Sequence, residues 1–160
     1  AVYRHFDDHM ELLRASVLYC WSNFYEVLRA AVESTDDPYD ALDAAGQAYV
    51  RFAFEAPGQY RVLFSNTIDV GLETGEPTAD DLMRGVASPG MSAFQLLIDL
   101  VTGILRARDD DRDPFFVAVQ VHTWIHGLVH LCGDHPTAPW PDIDDLLDSL
   151  REALCLTRPT

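Results

Sequence analysis

The sequence predicts an all-α fold, on the evidence of three observations. Apolar residues recur at the helical spacing of about 3.6 residues along the whole chain. No stretch alternates apolar and polar residues for long, which argues against strands. Prolines stand between the periodic stretches, where they end one helix or begin the next. The 160 residues, 48% hydrophobic and 11% aromatic, are predicted to form one globular domain with its own core.

Six main helices are predicted from their apolar stripes and from residues that start or stop a helix. Asp7 or Asp8 caps the first helix, and Asp113 caps the fifth. Pro57 ends the second helix, and the stretch rich in Gly, Thr and Glu from Asp69 to Thr78 is predicted to be a loop. The predicted helices span about residues 8–34, 39–55, 59–66, 88–108, 114–132 and 142–156, with a brief helical turn over 79–86.

The charge balance disfavours binding to nucleic acid or to an anionic membrane through the bulk surface. The chain has 26 acidic and 11 basic residues, all of the latter arginine, and a formal net charge of −15. Cys20, Cys132 and Cys155 are odd in number and lack CxxC spacing, which predicts reduced core thiols. No stretch reaches the roughly 18 apolar residues of a membrane span, and no signal sequence is recognisable. These observations predict a cytoplasmic protein.

The last two predicted helices indicate a homodimer. The fifth helix, Pro114 to Cys132, has apolar residues around its whole circumference, and a helix without a polar face must be buried on all sides. The last helix adds a single apolar stripe that also needs a partner. Pairing both with their symmetry mates in a four-helix bundle would bury them. The predicted interface residues are Ile125, Val129, Leu146 and Leu150.

Aromatic residues at helical spacing form either a filled core or the wall of an apolar cavity, and periodicity alone cannot separate the two. His122 and Thr123 are polar groups on a largely apolar helix, where they would orient a ligand. A cationic ligand would need a buried acid, but Asp99 is predicted to face solvent beside Gln95. The candidate ligand-binding residues are Trp21, Phe24, Tyr25, Tyr49, Phe52, Phe64, Phe94, Ile98, His122 and Trp124.

The fifth helix carries three histidines at every fourth position, His122, His126 and His130, and this spacing places them along one side of the helix. Zinc sites use this spacing, but His130 lies roughly 12 Å from His122 at a rise of about 1.5 Å per residue. Without a further ligand, hydrogen bonds within the core or across a dimer interface are the favoured interpretation. The acidic run 109–113 lacks the glycine and the terminal glutamate of a calcium loop. No nucleophile, di-iron or phosphate-binding motif is recognisable, so neither an enzyme nor a cofactor is predicted.

Three short segments, at the start, middle and end of the chain, carry a family resemblance. Tyr3–Leu13 resembles the YxHFxxKxxLL segment that ends the DNA-binding domain of the tetracycline-repressor (TetR/AcrR) family of transcriptional regulators. Ala48–Ala53 with Pro57–Phe64 is similar to the helix pair that precedes the effector pocket in many members. Trp124–Leu131, with Pro139–Pro141 and the final Leu-rich helix, resembles a C-terminal subclass known for a Trp-His-Gly motif.

The resemblance implies that residues 1–6 end a DNA-recognition helix and that residues 7–160 form an effector-binding and dimerisation domain. Most of the helix-turn-helix is then missing from the chain, which would explain its acidic balance. In the family, the residues matching Tyr3 and His5 touch DNA phosphates, as does a lysine at the position of His9. The implied protein is a homodimeric repressor that binds a small apolar effector, and operator DNA through the missing N-terminal domain. The alternatives are a dimerisation module without a ligand and a histidine-dependent metal-binding protein.

Overall fold

The structure, a computed structural model, describes residues 9–64 and 89–159, which are all helical apart from their turns. The predicted all-α class is therefore confirmed. The predicted loop over 69–78, the turn over 79–86 and the proposed DNA contacts Tyr3 and His5 lie outside the described residues, as does the side chain of His9. The described helices are α1 (His9–Val32), α2 (Pro38–Glu55), α3 (Pro57–Phe64), α4 (Pro89–Ala107), α5 (Pro114–Asp134) and α6 (Ile143–Ala153).

Aspartates cap three of these helices, because a carboxylate can accept the hydrogen bonds that the first backbone N–H groups of a helix have no other partner for. Asp113 accepts from the backbone N–H of Phe115 at 2.9 Å, which confirms the predicted cap of α5. Asp37 and Asp142 cap α2 and α6 in the same way. A proline occupies the first turn of α2 and of α5, where its missing N–H costs nothing.

The central helix of the bundle is α2, which packs against each of the other five described helices. One core cluster surrounds Phe24, which is 2% exposed, and joins residues of α1, α2, α3 and α5. A second cluster surrounds Val101 and Ile104 of α4, together with Val117 of α5 and Leu156 beyond α6. The buried apolar side chains therefore form two clusters, and residues of both line the candidate site.

The single subunit supplies only part of the cover that the sequence predicts for the fifth helix, so its burial on all sides stays a prediction about the dimer. One side of α5 is buried in the subunit, but the other exposes Phe116 (61%) and Leu131 (52%) and, to a lesser extent, Val119 and Trp124. The reason is that the bundle supplies neighbours to one side of α5 only. By length and composition α5 is also the one helix of the described part that could cross a membrane, a test that core helices of soluble proteins pass as well.

The stripe of α6 faces into its own subunit. Leu147 and Leu150 are buried there, and the outer side of the helix carries four acidic residues. Of the predicted dimer contacts, Ile125, Val129 and Leu150 are only 4–5% exposed in the single subunit, and Leu146 is half-buried. Because these side chains already pack inside the subunit, little of their surface is left for a partner. The exposed apolar surface of the last two helices lies instead on α5.

The cysteines differ from the prediction at one position. Cys20 and Cys132 are buried free thiols, as the sequence predicts, and burial raises the pKa of both. Cys155 is exposed, because it lies just after α6 in a left-handed turn with φ of 54°, and the next residue, Leu156, turns into the core instead. Only two of the three are therefore core thiols.

Candidate functional site

An apolar cavity of about 200 Å³ lies inside the bundle, and each of the six described helices contributes to its wall. Residues three or four apart supply the wall, because such residues share one face of a helix. Trp21, Phe24 and Leu28 do so on α1, and Phe94 and Leu97 do so on α4. Few of the side chains in the wall are polar, so the cavity is suited to a largely apolar molecule.

Aromatic rings form one end of this cavity. Trp21 packs edge-to-face against Phe64 at 5.5 Å between ring centroids and against Phe24 at 6.0 Å. The first turn of α4 lies directly on the indole, since a Cβ added at Gly90 would be 3.1 Å from the Trp21 ring. A glycine at this position lets the start of α4 approach α1 closely, and it thereby sets where Trp21 lies in the wall.

Six of the ten predicted ligand-binding residues line the cavity: Trp21, Phe24, Tyr49, Phe64, Phe94 and His122. The other four lie elsewhere. Phe52 is buried behind Phe24, with ring centroids 5.1 Å apart, and Trp124 is 38% exposed on the outer side of α5. Tyr25 and Ile98 are half-buried against the two core clusters rather than in the wall. Helical spacing placed all four near the core but could not say which rings reach the empty volume.

Most of the aliphatic wall was not predicted from the sequence, and part of it comes from the C-terminal region. Leu147 and Leu150 of α6 and Leu156 line the cavity, together with the small residues Ala45 and Gly46 of α2. The apolar stripe of α6 was the available signal, but it was assigned to the dimer interface. A small Ala-Gly pair on α2 opposite a leucine stripe was a second signal of empty space, because neither residue can fill it.

His122 is a neutral polar group of the wall, together with the hydroxyl of Tyr49 and the indole N–H of Trp21. Its imidazole lies edge-on to the rings of Phe94 (5.8 Å) and Tyr49 (6.2 Å) and stacks on His126 at 5.5 Å. Burial lowers the pKa of His122, so the ring is uncharged at neutral pH. Within residues 9–64 and 89–159, no hydrogen bond to this imidazole is found. A neutral imidazole has one donor and one acceptor nitrogen, and both remain available for a ligand.

Behind His122 lies a polar cluster of three side chains that hydrogen-bond to one another, Tyr49, Tyr60 and His126. The Tyr60 hydroxyl lies 2.7 Å and the Tyr49 hydroxyl 3.1 Å from Nδ1 of His126, and the two hydroxyls are 3.0 Å apart. If Nδ1 of His126 carries no proton, it can accept a hydrogen bond, and both tyrosine hydroxyls can then donate within the cluster. If Nδ1 carried the proton, it would be a donor, and one hydroxyl would have no acceptor within the cluster. This confirms that the predicted histidine line includes a core hydrogen bond.

Burial sets the protonation of that cluster. It lowers the pKa of His126 to about 4, with smaller contributions from His130 and His122. It raises the pKa of Tyr60 to about 12 and that of Tyr49 further still, so both phenols stay protonated at neutral pH. The cluster is therefore uncharged under physiological conditions and provides a fixed, neutral support for the His122 ring.

The charged residues near the cavity are already paired. Asp43 of α2 forms an ion pair with Arg151 of α6, and Arg151 also pairs with Asp148. As predicted, Asp99 lies on the exposed side of α4, where it accepts a hydrogen bond from Gln95 at 2.8 Å. Among the described residues of the wall, no charged side chain is left without a counter-ion.

The histidines do not converge on a metal ion. His122 and His126 stack with their ring planes 16° apart, so the rings present their faces to each other rather than their nitrogens to a common point. In the part of the chain that the structure describes, no group of three His, Cys, Asp or Glu side chains is placed to hold one. The arrangement is suited to binding an apolar molecule through ring contacts and one hydrogen bond.

Comparison with known proteins gives the family. Residues 42–154, which run from α2 to the end of α6, match the family described as "Tetracyclin repressor-like, C-terminal domain". The chain belongs to this family. A solved structure titled "Structure of a protein with unknown function from Rhodococcus sp. RHA1" is similar, with a TM-score of 0.72 and 20% identity, over 94% of this chain and 73% of that one. At this identity the likeness shows a shared fold. No curated protein matches.

Family membership places the cavity within a tetracyclin repressor-like C-terminal domain. The matched region supplies the walls from α2, α3, α4, α5 and α6, and α1 supplies the remaining wall with Trp21 and Phe24. The helix that lies before the matched region is thus in direct contact with the volume that the domain encloses.

Proposed function

We propose that the chain is the effector-binding and dimerisation part of a ligand-responsive transcriptional regulator, acting in the cytoplasm as a repressor. The cavity between the helices carries this proposal, because an apolar volume with a few polar groups is the usual form of a small-molecule site. Membership of the tetracyclin repressor-like family supports it. The small apolar effector binds in the cavity, and operator DNA binds through a helix-turn-helix whose last residues are 1–6.

In this proposal α1 transmits the signal. It contributes Trp21 and Phe24 to the wall, and it directly follows the segment that resembles the end of a DNA-reading domain. A ligand shifts an equilibrium only if it binds one state better than the other, so the effector favours the position of α1 that fits its shape. A coupling free energy of about 1 to 3 kcal/mol is enough for a useful switch.

The proposed dimer uses the exposed side of α5 rather than the inward stripe of α6. Phe116, Thr123, Gly127 and Leu131 lie along one side of α5, at spacings of four or seven residues. A Cβ added at Gly127 would meet nothing within 4 Å, so the middle of this side is open to a close neighbour. Two copies packed through α5 would bury an apolar surface that water otherwise covers.

A thermal-shift screen of the purified chain against small apolar molecules tests the ligand site. Any ligand that binds only the folded state raises the melting temperature. We expect chemically related hits whose effect is lost in Trp21→Ala and Phe94→Ala, because both side chains line the cavity. Phe54→Ala is the matched control, since Phe54 is 44% exposed and outside the wall, and it should retain the response.

The regulatory step needs a second measurement. In the regulator that carries its DNA-reading domain, with operator sequence selected from random DNA, the same ligand should change DNA affinity by about 5- to 150-fold. A ligand that binds without changing DNA affinity would contradict the switch. A stable dimer with no ligand response across a diverse library would favour a dimerisation module, to which the exposed side of α5 is equally suited.

A further inference from the structure

We infer that the effector is a neutral molecule the size of one substituted aromatic ring, with a single hydroxyl group that hydrogen-bonds to His122. The inference rests on the proposed function and narrows it to a ligand class. Four properties of the wall carry it: its volume, its aromatic composition, the pairing of its charges, and the position of the His122 imidazole, which has no hydrogen bond among the described residues.

The volume limits the size of the ligand. An engineered protein cavity of about 150 Å³ holds one benzene molecule. The cavity here, about 200 Å³, therefore accommodates a ring with a short substituent. Aromatic edges and faces from Trp21, Phe24, Phe64 and Phe94 surround one end, and offset or edge-to-face contacts favour a ligand that is itself a ring.

The charges exclude ions as the favoured ligands. Asp43 is the one acid among the described wall residues, and it already forms an ion pair with Arg151. Arg151 is shared with Asp148, so no free cation is left among the described wall residues to balance an anionic ligand. A buried charge without a counter-ion is costly, and among these described residues a bound carboxylate would find no free cation and a bound ammonium would have to compete with Arg151 for Asp43.

The polar groups fix where the single hydroxyl group of the ligand must lie. The Tyr49 hydroxyl faces Tyr60 and His126 and is occupied by them. His122, in contrast, points its ring into the aromatic end of the cavity and has no hydrogen bond among the described residues. A hydroxyl can donate to one ring nitrogen or accept from the other, so it satisfies either tautomer of the imidazole, whereas a carbonyl satisfies only the N–H.

Four probes built on propylbenzene test this inference on the wild-type chain: 4-propylphenol, propylbenzene itself, 4-propylbenzoate and 3-phenylpropylammonium. Binding is measured by calorimetry. We expect 4-propylphenol to bind about five- to tenfold more tightly than propylbenzene, the ratio that one added neutral hydrogen bond produces. The two ions should bind more weakly than either.

The variants then assign the preference to His122. In His122→Phe, which keeps a ring but no hydrogen-bonding atom, the phenol should lose its advantage and bind no more tightly than propylbenzene, because its hydroxyl is then buried without a partner. His122→Gln, which keeps a donor and an acceptor, should retain part of the preference and serves if the Phe variant does not fold. An equal affinity for both molecules in the wild type, a preference that survives His122→Phe, or tighter binding of an ion would overturn the inference and leave the proposed ligand site standing. No binding of any probe would contradict the ligand site itself.

Discussion

Two glycines show how the surroundings of a single residue decide its effect on the cavity. Both follow a proline at the start of a helix. Gly90 in α4 lies against the Trp21 ring, and a Cβ there would be 3.1 Å from it. Gly58 in α3 has nothing within 4 Å of the same added atom. The sequence contains Pro-Gly at both sites, so only the surroundings distinguish them.

Gly90→Ala should therefore displace the indole of Trp21 and reduce ligand binding about tenfold or more, because rings in a packed wall move only at the expense of their neighbours. The change is read out as a shift in tryptophan fluorescence and as a loss of the ligand-induced rise in melting temperature. Gly58→Ala is the matched control and should leave both unchanged while favouring its helix. If Gly90→Ala binds ligand as the wild type does, Trp21 is not held in place by α4.

Among the helices, α5 connects the cavity, the polar cluster and the exposed apolar side, and its start depends on one cap. Asp113 accepts the Phe115 N–H, and Asp111, two residues earlier, is exposed. Asp113→Ala should lower the free energy of unfolding by about 1 kcal/mol, the usual cost of losing an N-cap. Urea unfolding at pH 7 measures it. Asp111→Ala, of equal charge change, should cost far less; equal effects would mean that charge rather than capping is responsible.

The same helix shows what an apolar circumference can and cannot predict at the level of elements. Phe116 and Val117 are neighbours of similar hydrophobicity, yet one is 61% exposed and the other fully buried. Periodicity predicts that α5 needs cover but not whether the cover comes from its own subunit or from another. The α6 stripe was ambiguous in the same way, and it covers the cavity.

For the whole molecule, the exposed side of α5 predicts the oligomeric state. Phe116→Glu combined with Leu131→Glu places two charges on that side and should convert the proposed dimer to monomers in sedimentation measurements, because unpaired charges in an interface are costly. Ser149→Glu adds charge to the exposed side of α6 and should leave the dimer intact. Dissociation by the α6 change but not by the α5 pair would move the interface to α6.

The polar cluster predicts the pH dependence of stability for the whole fold. His126 faces Tyr49 of α2, Tyr60 and Phe64 of α3, and His122 and His130 of its own helix. The pKa of His126 falls from 6.5 to about 4 in the folded state, so between these values the unfolded chain binds a proton that the folded chain does not. Protonation of His126 therefore does not reduce the free energy of unfolding above pH 6.5, and it lowers that free energy progressively as the pH falls towards 4.

This loss should amount to about 1 to 2 kcal/mol for His126, less than the full shift because solvent screens the half-buried ring, and urea unfolding at pH 7, 5.5 and 4.5 measures it. Protonation of acidic residues also lowers the free energy of unfolding at the lower end of this pH range. The informative quantity is therefore the difference between the wild type and His126→Gln. That variant should show a flatter dependence from pH 6.5 to 4.5. The exposed His135→Gln should follow the wild type. A His126→Gln curve parallel to the wild type would contradict a neutral, buried His126.

The sequence by itself determined the helical class, the approximate helix bounds, the Asp113 cap and the family, because all of these depend on local spacing or on short motifs. It also identified most of the aromatic wall, since residues on the inner side of a helix can be read from periodicity. The tertiary structure decided the rest. Whether Phe64 or Phe52 reaches the empty volume, whether α6 covers a cavity or a partner, and how His122 comes to face the volume while His126 is held by two tyrosines all depend on contacts between distant segments. Hydrophobicity is non-directional, so it drives these side chains inward without specifying which of them will leave space for a ligand.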